Sequence, residues 1–246
     1  MREQQYLDDL SVRAAVAAWT TGEGAFASDI GSDVALTVSL LDRWLSYWDL
    51  ADRLRRPQRA QFLAFLEQTA RPAFRAATEP SPEVFGLLDD INYQAVRDGL
   101  TTSSLMIMLS RFACSCRPAV YAPASQHSRR GMQIIGRKLA DMSYRTYMLA
   151  FMKERERFAD RVATIVLADD PTGAAAAAVP LDVLVMRALD RRLMLAGGFA
   201  PERLEALVAR AAKPAGKSDA PRAKASRPSA SPTRAGRNLL PDQTAG

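Results

Sequence analysis

The chain has 246 residues, of which 48% are hydrophobic, 24% charged and 7% aromatic, an ordinary globular composition with enough apolar mass for one sizeable core. The net charge of +6 is unevenly spread. Residues 1–110 hold 10 basic and 15 acidic side chains, 111–160 hold 10 and 4, 161–211 hold 6 and 6, and 212–246 hold 7 and 2. No apolar run reaches the roughly 18 residues of a membrane span, and the first ten residues, MREQQYLDDL, lack the apolar stretch of an export signal. A cytoplasmic protein without a membrane partner is therefore expected.

Apolar residues from Tyr6 to Trp19 keep a helical period and predict a first helix that stops at Thr20-Thr21-Gly22, followed by a loop, GEGAFASDIGSD. A second helix is expected from Val34 to Leu54, with Asp33 as N-cap and Arg53, Arg55 and Arg56 near its C-terminal end. Pro57 suits the start of a third, carrying Phe62, Leu63, Phe65 and Leu66, with Pro72 kinking or ending it. Ser81-Pro82-Glu83 is a cap followed by a first-turn proline, and the helix it opens should stop at Asp98-Gly99. Thr101 or Thr102 is the expected cap of the next helix, which runs through Leu105 to Phe112, is apolar on most sides and should be central.

Two prolines make Arg117–Pro123 an ordered crossing loop rather than a helix. A short basic helix is expected over Ser125–Lys138, a long one over Asp141–Leu167, and two more at about 180–196 and 201–212, separated by Gly197-Gly198. From Lys213 onward the composition is Pro, Ser, Ala, Gly, Lys and Arg without apolar periodicity, which predicts a disordered basic tail. The fold class is thus all-α: one multi-helix orthogonal bundle of about eight to nine helices. Its divisions are a main domain at 1–168, a helical pair packed on it at 169–212, and the tail at 213–246.

Cys114 and Cys116 are too close in sequence for a favourable disulfide, and with His127, the single histidine, they make three ligands where a structural zinc needs four; no metal is expected. His127 with Ser125 or Ser128 lacks the context of a nucleophile elbow. The pairs Asp8-Asp9, Asp89-Asp90 and Asp169-Asp170 diverge on a helix, and TGEGAF lacks the lysine and the preceding strand of a phosphate loop. No catalytic residue and no cofactor are expected. Arg117, Arg129, Arg130, Arg137, Lys138 and Arg145 are the basic constellation of the chain; on a continuous helix Arg130, Arg137 and Lys138 would share one face and meet successive phosphates.

The segment Arg117-Pro118-Ala119-Val120-Tyr121-Ala122-Pro123, continued to Met132, together with SYRTYMLAF at 143–151, resembles a bacterial all-helical family with an R-P-x-x-F-x-P-Y-D-x-x-A-R-x-G-L segment before a Tyr-containing helix. The likeness covers about residues 104–151. The stretch after the prolines is also similar to the place where helix-hairpin-helix DNA glycosylases carry an essential aspartate. That resemblance would put the aspartate at Ser125, and a neutral hydroxyl there implies binding without cleavage. The expectation is a non-enzymatic helical protein that binds nucleic acid through the basic stripe and tail. The alternative is an assembly subunit that meets a protein partner or a second copy through Trp44, Trp48 and Phe62.

Overall fold

The computed structural model describes residues 2–54, 56–169 and 178–213, without the side chains of Arg53, Arg56, Pro57 and Asp169. Its helices are α1 (Arg2–Ala18), α2 (Gly24–Gly31), α3 (Val38–Tyr47), α4 (Arg56–Phe65), α5 (Arg71–Ala76), α6 (Pro82–Arg97), α7 (Met106–Cys116), α8 (Gln126–Ile134), α9 (Tyr144–Asp169), α10 (Leu181–Ala196) and α11 (Pro201–Ala211). Trp19–Glu23 joins α1 to α2 across a kink at Gly22, whose backbone leaves the helical region (φ 179°, ψ −45°), and the wide π turn Leu66–Ala70 joins α4 to α5. The fold is an all-α bundle. The basic tail expected beyond Lys213 lies outside the described residues, as do residues 170–177, Arg55 and the side chains of Arg53, Arg56 and Asp169, and with them the expected cation cluster and the pair Asp169-Asp170.

Local chemistry sets most boundaries. Ser81 Oγ accepts the Val84 N–H at 3.2 Å and Pro82 opens α6, because proline has no N–H to lose in a first turn. Helix α7 is central, with Met108, Leu109, Phe112, Ala113 and Cys116 buried. Helix α10 packs on α1, α8 and α9. Its Leu184, Met186, Leu189 and Leu193 belong to the same core as Trp44, Phe62, Phe112 and Phe151. Helix α11 closes a smaller apolar cluster of Leu10, Ala14, Leu195 and Leu204 against α1.

Several boundaries differ from expectation. The stop expected at Thr20-Thr21-Gly22 matches the kink at Gly22, but the segment GEGAFASDIGSD is not a loop: α2 follows at once and buries Phe26 and Ile30. Helix α3 is capped by Thr37, whose Oγ1 accepts the Leu40 N–H, and not by Asp33, which pairs instead with Arg75 at 2.6 Å. It ends at Tyr47, so Val34 stands exposed and Leu50 is buried beyond the helix. Pro72 neither ends nor breaks its helix, because the π turn precedes it and leaves it in the first turn of α5. Neither Thr101 nor Thr102 caps α7; Asn92 Oδ1 on α6 accepts the Leu105 N–H at 2.7 Å. Trp44 and Phe62 are fully buried, which removes them as an assembly surface.

Candidate functional site

The crossing loop is pinned from one side by α9. Tyr144 Oη donates to the Ala122 carbonyl at 2.8 Å and accepts the Ala122 N–H at 3.1 Å, and Tyr147 Oη donates to the Pro123 carbonyl at 3.1 Å. Ser110 Oγ accepts the Ala124 N–H, so a buried stretch that can join no helix still has its backbone groups met by side chains. Ser125 then caps α8 in a reciprocal box with Ser128. His127 presents Nδ1 to the Gly197 carbonyl at 3.2 Å and packs edge-on to Phe199. Both cysteines are free and buried, and burial raises the Cys114 thiol to about 11, far from thiolate chemistry at neutral pH.

The six basic residues do not form a single stripe. Helix α8 ends at Ile134 and Gly136 takes φ +86°, so Arg137 and Lys138 lie past the helix on which Arg130 stands. Arg137 is paired with Glu154 on α9. Arg129 is buried, its guanidinium lies 5.1 Å from the Tyr147 ring centre, and Nη2 donates to the Ser143 carbonyl. Arg117 donates Nε and Nη2 to the Arg75 carbonyl. Arg130, Lys138 and Arg145 are exposed around the α8–α9 junction.

A different constellation has the features of a site. In α10, LDVLVMRALDRRLMLA, charged residues interrupt the apolar face at Arg187, Asp190 and Arg191, and all three are buried. The two arginines share one partner, Glu23, which directly follows the kink at Gly22 and is itself buried. Arg187 donates Nε and Nη2 to the two Glu23 oxygens at 2.7 and 2.8 Å, and Arg191 adds a third bond at 2.7 Å. Burial pushes Glu23 up, but the two guanidiniums outweigh it and hold the carboxyl down at about 2. Asp190 shows the opposite balance: burial raises it above the ordinary range, and Arg187, 3.8 Å away, offsets this only in part.

This cluster floors a cavity of about 530 Å³ between the end of α3, α7, α10 and α11. Five arginines line it, Arg111, Arg187, Arg191, Arg203 and Arg210, against the carboxylates of Glu23, Asp49 and Asp190. Tyr47, Trp48 and Phe199 give it aromatic walls. The Arg111 and Arg187 guanidiniums lie 5.1 and 5.5 Å from the Trp48 ring centre, and Arg203 lies 5.8 Å from that of Phe199. Two polar atoms of lining side chains, Trp48 Nε1 and Asp190 Oδ1, are buried without a hydrogen-bond partner. Asp49, beside them, holds φ +54°, a left-handed conformation uncommon outside glycine. Ser125 also borders the cavity.

The sequence reading missed this site because its members are spread from Ala18 to Arg210. A signal was present in α10, where Arg, Asp and Arg at i, i+3 and i+4 share one face of a helix apolar on its other sides. Among the described residues, no three His, Cys, Asp or Glu side chains converge as metal ligands. No helix among them is long and apolar enough to cross a membrane. No protein-family model, curated protein or solved structure matches the chain.

Proposed function

We propose that the protein is a non-enzymatic binding protein for a small organic anion held in the cavity between α3, α7, α10 and α11. The observation that carries this reading is the lining itself: five arginines facing three carboxylates and three aromatic side chains around about 530 Å³. That volume falls in the range of ligand pockets, about 300–1,000 Å³, and five arginines against three carboxylates give the lining an excess of positive charge that suits an anion. The buried Glu23–Arg187–Arg191 network supplies rigidity, since each member is fixed by more than one polar contact.

The test is fluorescence titration with 8-anilinonaphthalene-1-sulfonate, an aromatic anion. Saturable binding at one site per chain, weakened in the Arg203→Gln/Arg210→Gln variant with helical content unchanged, is the expected result. Absence of saturable binding, or binding indifferent to both arginines, contradicts it.

A second reading keeps nucleic acid as the partner and draws on the exposed Arg130, Lys138 and Arg145. It requires affinity for random duplex DNA that falls with salt at a log-log slope of about −0.9 per neutralised phosphate.

A further inference from the structure

The cavity has one wall that is held far less firmly than the rest. Eleven of the sixteen residues of α10 are buried, whereas of the eleven in α11 only Leu204 is. Helix α11 packs chiefly on α1, and Leu204 belongs to the small cluster of Leu10, Ala14 and Leu195 rather than to the main core. Local opening costs less where less apolar surface is buried, so α11 detaches more readily than α10. A side-chain hydrogen bond reinforces its docking, from Tyr6 Oη on α1 to the Glu205 carboxylate.

The pivot is also defined. Gly198 and Phe199 donate their N–H groups to the Leu195 and Met194 carbonyls, which closes α10 with its own turn, and His127 Nδ1 lies 3.2 Å from the Gly197 carbonyl. The chain is therefore tied to α8 and α10 as far as Phe199. Ala200, exposed, is the single residue between that turn and Pro201, and no side chain caps the N-terminus of α11. Beyond the pivot α11 gives the cavity Arg203, Leu204, Leu207 and Arg210, so the loosely held element carries two of the five arginines.

We infer that α11 is a lid, which swings about Ala200 to admit an organic anion, closes to bring Arg203 and Arg210 to it, and is held shut by Leu204 and the Tyr6–Glu205 hydrogen bond. This inference rests on the cavity being the ligand site. Only the closed lid supplies those two guanidiniums, so the anion binds the closed state better and shifts the lid toward it. A few element-terminal residues are enough to absorb such a motion. Tyr6 does not line the cavity, so its influence on binding runs through the lid.

Two measurements on the full chain test the lid. In amide exchange without ligand, α11 opens at least about tenfold more readily than α10. Tyr6→Phe, which loses only a hydroxyl, raises α11 exchange about two- to tenfold and leaves α10 unchanged, and Leu204→Ala raises it about thirtyfold or more. In stopped-flow mixing with 8-anilinonaphthalene-1-sulfonate, Tyr6→Phe speeds both association and dissociation, because entry and exit wait on the lid. Exchange of α11 in step with α10, or sulfonate rates indifferent to Tyr6→Phe while α11 opens more often, overturns the lid and leaves the cavity standing. Absence of saturable sulfonate binding to the wild type removes the cavity and the lid with it.

Discussion

Glu23 and Arg187 meet inside the bundle across 164 residues of sequence, two guanidinium nitrogens on two carboxylate oxygens at 2.7 and 2.8 Å. Removing one partner leaves a buried charge uncompensated, which costs about 3–5 kcal/mol, far more than the pair contributes relative to apolar packing. Glu23→Gln is therefore expected to lower the urea midpoint strongly, because Arg187 and Arg191 lose a common anion. A change within about 0.5 kcal/mol, the usual range of a surface substitution, would show that water compensates the arginines.

The same carboxylate sets the acid limit of the fold. Its folded value of about 2 lies below the ordinary 4.5, so its stabilisation is complete above pH 4.5 and is lost as pH falls toward 2. The size of that loss is about 3 kcal/mol. Asp190 works in the opposite direction: its raised value means that ionisation costs stability as pH rises, and acid relieves this. Thermal melts of the wild type should fall steeply between pH 4.5 and 2, and the Glu23→Gln variant should show a shallower fall over that window. Parallel curves would contradict the assignment.

Helices α8 and α10 approach through two glycines. A Cβ added to Gly131 would lie 1.9 Å from the Leu193 carbonyl oxygen, and one added to Gly197 would lie 1.9 Å from that of His127. Backbone cannot yield as a flexible side chain does, so Gly131→Ala should cost about 3 kcal/mol or more. Gly136→Ala has open space and only its positive φ to resist it, and should cost about 1 kcal/mol. Comparable urea midpoints for the two variants would mean that the close approach is relaxed in solution.

Tyr144 and Tyr147 hydrogen-bond the crossing loop through their hydroxyls, and Tyr144 also sets its ring 6.4 Å from that of Tyr121. Tyr144→Phe orphans both the N–H and the carbonyl of Ala122 in a buried place and should cost about 2–3 kcal/mol, whereas Tyr147→Phe orphans one carbonyl and should cost about 1 kcal/mol. Reversal of that order in chemical denaturation would contradict the pairing.

Asp49 ends α3 in a left-handed conformation, with its N–H on the Ser46 carbonyl and that of Leu50 on the Leu45 carbonyl. Asp49→Gly should raise stability by about 0.5–1 kcal/mol, because glycine adopts that conformation without strain. A loss of stability would mean that the Asp49 side chain contributes more than its backbone costs.

Helix positions were largely legible because each rested on a local signal: Ser81-Pro82 at the start of α6, the two prolines of the crossing loop, and Gly197-Gly198 between α10 and α11. The α1–α2 connection was legible only in part: the stop expected at Thr20-Thr21-Gly22 coincides with the kink at Gly22, but the chain re-enters a helix at Gly24 where a loop was expected. The basic stripe failed for a related reason. Arg130 and Arg137 share a face only if the helix continues, and the chain turns at Gly136. The cavity was illegible because charge counting treats each arginine as solvated, while Arg187 and Arg191 reach a carboxylate on another rod.

Amide hydrogen exchange with and without saturating 8-anilinonaphthalene-1-sulfonate tests the central claim most directly, because it reports where an organic anion sits. Slowed exchange at the end of α3 around Trp48 and Asp49 and from Phe199 into α11 as far as Arg210, with α8 and the start of α9 unchanged, is the predicted result. Protection confined to residues 126–145, or none at either place, would contradict it.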